Sequence, residues 1–126
     1  MSAWTRDELD RIGAARLLEL ATRGRDGTLR SPVTVWVVRH GDDLYVRSWR
    51  GRTAAWFRRV QARPEGHVRA GGVDRDVALV AADPTVEDAL DAAYRAKYGR
   101  SGGSYVDQMV SAPARSTTLR LVPRST

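Results

Sequence analysis

Apolar and polar positions divide the chain into short alternating runs, broken by two or three stretches of helical period. Thr5-Arg-Asp-Glu8 is a capping-box pattern and opens a helix carrying Leu9 and Ile12. In residues 16–22, Leu18, Leu20 and Thr22 alternate with Leu17, Glu19 and Ala21, which predicts a strand, and Asp26-Gly27 offers a hairpin turn after it. Val33 to Arg39 is β-branched almost throughout and reads as one strand. Gly41-Asp-Asp43 turns it into a second, Leu44 to Trp49. A polar Arg/Gly loop over residues 50–53 leads to Thr53, a candidate cap for a helix running to Gln61 with Trp56, Phe57 and Val60 on its buried side.

Pro64 stops that helix. His67–Ala70, Gly71-Gly72 and Val73–Ala81 predict a hairpin with a two-residue turn. Asp83-Pro84 fits an N-cap with proline in the first turn of a helix that reaches Tyr98 and ends at Gly99. Ser101-Gly-Gly103 reads as a mobile loop, Tyr105–Val110 as a further helical turn or two, and Thr117–Val122 as a closing strand. About six strands at hairpin spacing with two or three helices predict a mainly β, antiparallel barrel with peripheral helices. With 126 residues and 42% apolar content, the chain is expected to form one domain over residues 1–126 with a core of its own.

Composition narrows the chemistry. Cysteine is absent, which removes thiol nucleophiles, disulfides and cysteine-held metal centres. No apolar run approaches the ~20 residues of a membrane helix, and the polar N-terminus does not resemble a signal peptide, so a cytoplasmic location is expected. The charge has an address. Between Leu44 and Pro64 there is no acidic residue, yet Arg47, Arg50, Arg52, Arg58, Arg59 and Arg63 all fall there and equal the whole net charge of +6. An anionic partner is steered to that segment.

Within it, Arg47-Ser-Trp-Arg-Gly-Arg-Thr53 leaves a strand, turns through Gly51 and enters a helix N-terminus. Open N–H groups at a helix start attract anions, Gly51 permits close backbone approach, and Ser48 and Thr53 add hydroxyls. Arg50 and Arg52 can grip a phosphate bidentately. Trp49 and Trp56 flank the loop and Trp36 lies on the preceding strand, so each is a candidate to stack on a planar ring; a solvated loop with core tryptophans is the alternative. Tyr94 and Tyr98 share a helix face at i, i+4 with Lys97 between them, placed either to pack on the barrel or to donate to a substrate. His40 and His67 belong to no metal-ligand pattern, and no metal is expected. Any hard chemistry therefore falls to a bound cofactor or to the substrate.

The order of these motifs resembles the FMN-binding split-barrel superfamily, and within it the deazaflavin-dependent nitroreductases and quinone reductases of actinobacteria. Val35-Trp-Val-Val-Arg-His-Gly-Asp-Asp-Leu-Tyr-Val-Arg-Ser48, Ala93-Tyr-Arg-Ala-Lys-Tyr-Gly99 and Thr118-Leu-Arg-Leu-Val-Pro-Arg124 resemble, over nearly the whole chain, domain-of-unknown-function family 2255. The resemblance implies a six-stranded split barrel, homodimeric, holding reduced deazaflavin or FMN and acting as a small oxidoreductase on an organic substrate. It implies the cofactor phosphate at Ser48, Arg50, Gly51, Arg52 and Thr53, with Trp56 beside it, and the ring near Thr34 and Trp36. The loop lacks the family's Lys-Gly-Gly run and the proline before the tryptophan, which leaves two alternatives: Arg50 and Arg52 replace its lysine, or the cofactor has been lost. Two other readings compete. One is a cofactor-independent cyclase or isomerase that uses a pocket of Trp36, Trp49 and Tyr94. The other is a ligand- or nucleic-acid-binding module, against which the basic segment is short and carries no recognised motif.

Overall fold

The computed structural model describes residues 3–124. Helix α1 (Arg6–Ala14) opens on the expected capping box: the Thr5 N–H donates to Glu8 Oε1 at 2.9 Å, and the Glu8 N–H to Thr5 Oγ1 at 3.1 Å. The strands are β1 (Leu18–Thr22), β2 (Val33–Val35), β3 (Val37–His40), β4 (Asp43–Val46), β5 (Glu65–Ala70), β6 (Val73–Ala81) and β7 (Leu119–Pro123). Helices α2 (Ala55–Ala62), α3 (Glu87–Gly102), α4 (Ser104–Met109) and α5 (Ala112–Arg115) lie between them.

All the strands form one antiparallel sheet in the order β2-β1-β5-β6-β7-β4-β3. Its two edges, β2 and β3, are consecutive in the chain and separated only by Trp36. Val35 pairs with Leu18 of β1, whereas Val37 pairs with Val46 of β4. One β-branched stretch thus supplies both margins of a nearly closed barrel. The sequence predicts a single strand here and six in all; the pairing partner changes at Trp36, and the sheet has seven.

Alternation places Leu18, Leu20, Val35, Val37, Leu44, Val46, Val68, Val77, Leu79, Leu119 and Leu121 in the barrel interior. Trp4, Leu9 and Ile12 at one end, and Trp56, Phe57 and Val60 from α2, complete that core. Each such side chain contributes ~1.5–3 kcal/mol of burial. A second cluster lies outside the barrel, where Leu90, Tyr94, Tyr98, Val106, Met109 and Ala114 cover Val38 and Tyr45. The predicted β5–β6 turn closes through Gly71 and Gly72 at φ 57° and 83°, and a Cβ on Gly71 would stand 2.4 Å from the Arg11 carbonyl oxygen. Only glycine fits there.

Three further boundaries differ from expectation. β4 ends at Val46 rather than Trp49, because the chain leaves the sheet where the Ser48 N–H donates to Thr117 Oγ1 at 2.8 Å. Thr53 does not cap α2: it lies in a 3₁₀ turn over Gly51–Thr53, its hydroxyl donates to the Arg50 carbonyl at 3.0 Å, and α2 begins after Ala54. α3 runs past Gly99, so Ser101 and Gly102 form its last turn and Gly103, at φ 51°, breaks to α4.

Candidate functional site

A cavity of about 700 Å³ opens between β2, the loop leaving β4, the start of α2, and α4. Eight of the ten residues expected at a cofactor line it: Thr34, Trp36, Arg47, Ser48, Trp49, Arg50, Thr53 and Trp56. The fold brings together positions up to 22 residues apart because β2 and β4 belong to opposite stretches of the same nearly closed sheet. Gly51 and Arg52 stand apart from it. Gly51 is buried against Pro113, and the Arg52 guanidinium lies over the Phe57 ring and donates to the Ser116 carbonyl at 3.3 Å.

The walls are aromatic. The Trp36 indole stacks on Tyr98, ring centroids 4.1 Å apart and planes 2° from parallel. At the mouth Trp49 and Tyr105 are 42% and 58% exposed, their centroids 5.5 Å apart and tilted by 47°. Trp56 is buried edge-on to Phe57 and belongs to the barrel core as much as to the cavity. Arg59, Tyr105 and Met109 line the site without having been singled out in the sequence. Arg59 was legible only as part of the basic segment, and no pattern links the α4 residues to a loop more than 50 residues earlier.

The polar groups divide into committed and open ones. Arg47 is fully buried: Nη1 donates to Asp91 Oδ1 at 2.7 Å and to the Met109 carbonyl at 3.0 Å, Nη2 to Glu87 Oε1 at 3.0 Å and to the Glu87 carbonyl at 3.3 Å, and Nε to Thr118 Oγ1 at 3.0 Å. Its guanidinium also lies over the Tyr94 ring. That charge ties α3 and α4 to the barrel and has no donor left over for a ligand. Ser48 Oγ is buried with no hydrogen-bond partner among the described residues. Helix α2 begins beside it with no capping side chain, so Ala54, Ala55 and Trp56 bring first-turn N–H groups to the cavity wall. Arg50 is exposed at the rim, without an ion-pair partner among the described residues. A buried free hydroxyl, open helix amides and an unpaired arginine form a donor set suited to a phosphate.

Tyr94, Lys97 and Tyr98 lie on the other side of Trp36, outside this cavity. They serve the backbone where the pairing changes partner. Tyr94 Oη donates to the Trp36 carbonyl at 3.1 Å and Lys97 Nζ to the Val37 carbonyl at 2.7 Å. The Val37 N–H donates to Tyr98 Oη at 3.2 Å, and that hydroxyl in turn meets the Arg16 carbonyl at 2.8 Å. Burial raises the Tyr94 phenol far above its ordinary value and pushes Tyr98 up to about 12, so both stay protonated. Burial, with the Arg16 charge nearby, brings Lys97 down to about 8.

A family model described as "Uncharacterized protein conserved in bacteria (DUF2255)" matches residues 8–121. The chain belongs to this family. No curated protein matches it. Among solved structures, this family member is similar to HutZ, the heme storage protein from Vibrio cholerae, at 14% identity and a TM-score of 0.62, over 96% of this chain and 91% of that one. An F420 reductase aligns at 17% identity and a TM-score of 0.52, over 94% and 92% of the two chains. A pyridoxamine 5'-phosphate oxidase-related, FMN-binding protein from Nostoc punctiforme aligns at 16% and 0.50, over 92% and 76%. At these identities the likeness carries the fold, an antiparallel split barrel with peripheral helices. No helix among the described residues is long and apolar enough to cross a membrane, and no three His, Cys, Asp or Glu side chains there gather as metal ligands.

Proposed function

We propose that this protein binds a phosphorylated flavin-type cofactor, FMN or a deazaflavin, in the Trp36–Trp56 cavity and acts as a small oxidoreductase on an organic substrate. The observation that carries the reading is the buried Ser48 hydroxyl, without a partner among the described residues, at the cavity where α2 starts uncapped. Burying a hydroxyl without a partner costs ~1–3 kcal/mol, and an anion accepting from it and from the helix amides removes that cost. Ser48, Arg50 and the first α2 amides would hold the phosphate, while the Thr53 hydroxyl stays committed to the Arg50 carbonyl. Thr34, Trp36 and Trp49 would hold the ring, with Trp36 fixed in place by Tyr98. The cofactor supplies two-electron transfer when bound. The relatives named for FMN and F420 support the choice of cofactor class by their shared fold.

The same reading makes the protein a homodimer, with the exposed Trp49 and Tyr105 at the boundary where a second copy covers the mouth of the cavity. Titration of FMN, and separately of a deazaflavin, followed by ligand fluorescence and thermal shift, tests the cofactor. At about a hundred times its dissociation constant the ligand stabilises the fold by ~2.7 kcal/mol. Absence of binding by both overturns the reading. Light scattering that gives a monomer in the presence of cofactor overturns the dimer.

A further inference from the structure

A second concavity of about 550 Å³ lies behind the aromatic one and shares Arg59 with it. Six of its eight lining residues are arginines, namely Arg23, Arg25, Arg30, Arg58, Arg59 and Arg63, and the other two are Gly24 and Ala62. They converge from the end of β1, from the loop that returns to β2, and from α2. Like charges brought together in this way destabilise a fold; Arg58 and Arg59 come from α2 and Arg63 from the residue that ends it.

Several of the guanidinium groups are held in place rather than left in solvent. Arg59 Nε donates to Thr22 Oγ1 at 2.8 Å, and Arg23 Nη1 to the Gly27 carbonyl at 2.7 Å. Arg63 Nε donates to Glu65 Oε1 at 2.9 Å. Arg30 lies across Gly24, where an added Cβ would stand 2.5 Å from its guanidinium. Glu65, which also meets Arg23 and Arg124, is the carboxylate within salt-bridge distance of this group among the described residues; Asp26 acts on Arg30, and Asp76 on Arg23, only at longer range. The positive charge is therefore largely uncompensated, and the guanidinium groups of Arg23, Arg59 and Arg63 are already oriented.

We infer that this arginine cleft is an anion site for a small soluble molecule carrying two or more adjacent phosphate groups, independent of what the aromatic cavity binds. Its volume suits a small ligand, and several guanidinium forks match several phosphates. Its walls offer no aromatic ring, so the base stacking that sustains single-strand nucleic-acid binding has no platform here.

Calorimetric titration of the whole protein with inorganic tripolyphosphate, and with orthophosphate at the same ionic strength, tests this. One tripolyphosphate per chain should bind at least tenfold tighter than orthophosphate. The Arg30→Ala/Arg58→Ala variant should lose tenfold or more, and Arg25→Ala should weaken binding in the same direction. Arg69→Ala, an exposed arginine on β5 outside the cleft, should change nothing. Equal affinity for the two anions, or a double variant that binds as the wild type does, overturns the proposal. So does a single-stranded oligonucleotide that binds more tightly than tripolyphosphate and depends on the same arginines.

Discussion

The Trp36 indole lies flat on the Tyr98 ring, 4.1 Å between centroids, at the residue where one strand of the barrel becomes two. A break in pairing leaves backbone groups that must find other partners when buried. Tyr94, Lys97 and Tyr98 supply them from one face of α3, so the helix holds the two barrel margins together. Stacking then fixes the tryptophan at the cavity wall.

Tyr98→Phe keeps the stacked ring but removes the acceptor of the Val37 N–H and the donor to the Arg16 carbonyl. Leaving a buried backbone donor unsatisfied costs ~1–3 kcal/mol. Urea unfolding should show a loss of that size with an unchanged slope. A midpoint equal to the wild type's would mean that other groups satisfy the break.

Arg47 makes a second test of how α3 is held. Arg47→Ala leaves Glu87 without an ion-pair partner among the described residues and Asp91 with only its 3.6 Å contact to Arg115, which costs ~3–5 kcal/mol. Arg47→Met fills the space without the charge; paired with Glu87→Gln and Asp91→Asn it should recover much of that loss. Equal destabilisation of the Ala variant and the triple variant would show that the lost hydrogen bonds to the Met109 carbonyl and Thr118, not the stranded carboxylates, set the cost.

His67 gives stability a pH dependence. It bonds Asp76 through Nδ1 at 2.7 Å and Asp74 through Nε2, and the hydrogen bond it donates to Asp76, then that to Asp74, raises it above its ordinary 6.5 against the opposing effect of burial. A raised folded value contributes stability that is fully present below 6.5 and lost as pH rises through the folded value. As pH rises from 6.5 through the raised folded value, the wild type should therefore lose stability relative to His67→Gln. Lys97 acts in the opposite sense, because its folded value of about 8 lies below its ordinary 10.5, so stability rises with pH between those values. A His67→Gln difference that stays flat over the lower window contradicts the assignment.

Much of the fold was legible from local rules. The Thr5–Glu8 box and the Gly71-Gly72 turn rest on neighbouring residues and form as read, whereas Asp83, accepting from the Thr85 N–H, caps a 3₁₀ turn over Pro84–Val86 and α3 itself begins at Glu87. The strand break at Trp36 was not legible, because it depends on which strands lie at the two sheet edges and not on the β propensity of Val33–Arg39. The site divides in the same way. Serine, glycine, arginine and tryptophan types marked the right loop, but nothing local distinguishes Arg50 from Arg47 or Arg52. Arg47 is claimed by carboxylates some 40 residues away on α3, and Arg52 by the carbonyl of Ser116. Those partners exist only in the folded chain.

That distinction supplies the most direct measurement of the central claim. Cofactor affinity is compared for Arg50→Ala and Arg52→Ala, using whichever of FMN and deazaflavin the wild type binds. Loss of one charge-assisted contact costs ~1.5–3 kcal/mol, or about ten- to a hundredfold in affinity. Arg50→Ala should show that loss with unaltered thermal stability of the free protein. Arg52→Ala, whose guanidinium points away from the cavity, should bind within about twofold of the wild type, since an exposed arginine outside the site changes little. Equal losses at the two positions, or wild-type affinity in Arg50→Ala, would contradict a phosphate held at the mouth of this cavity.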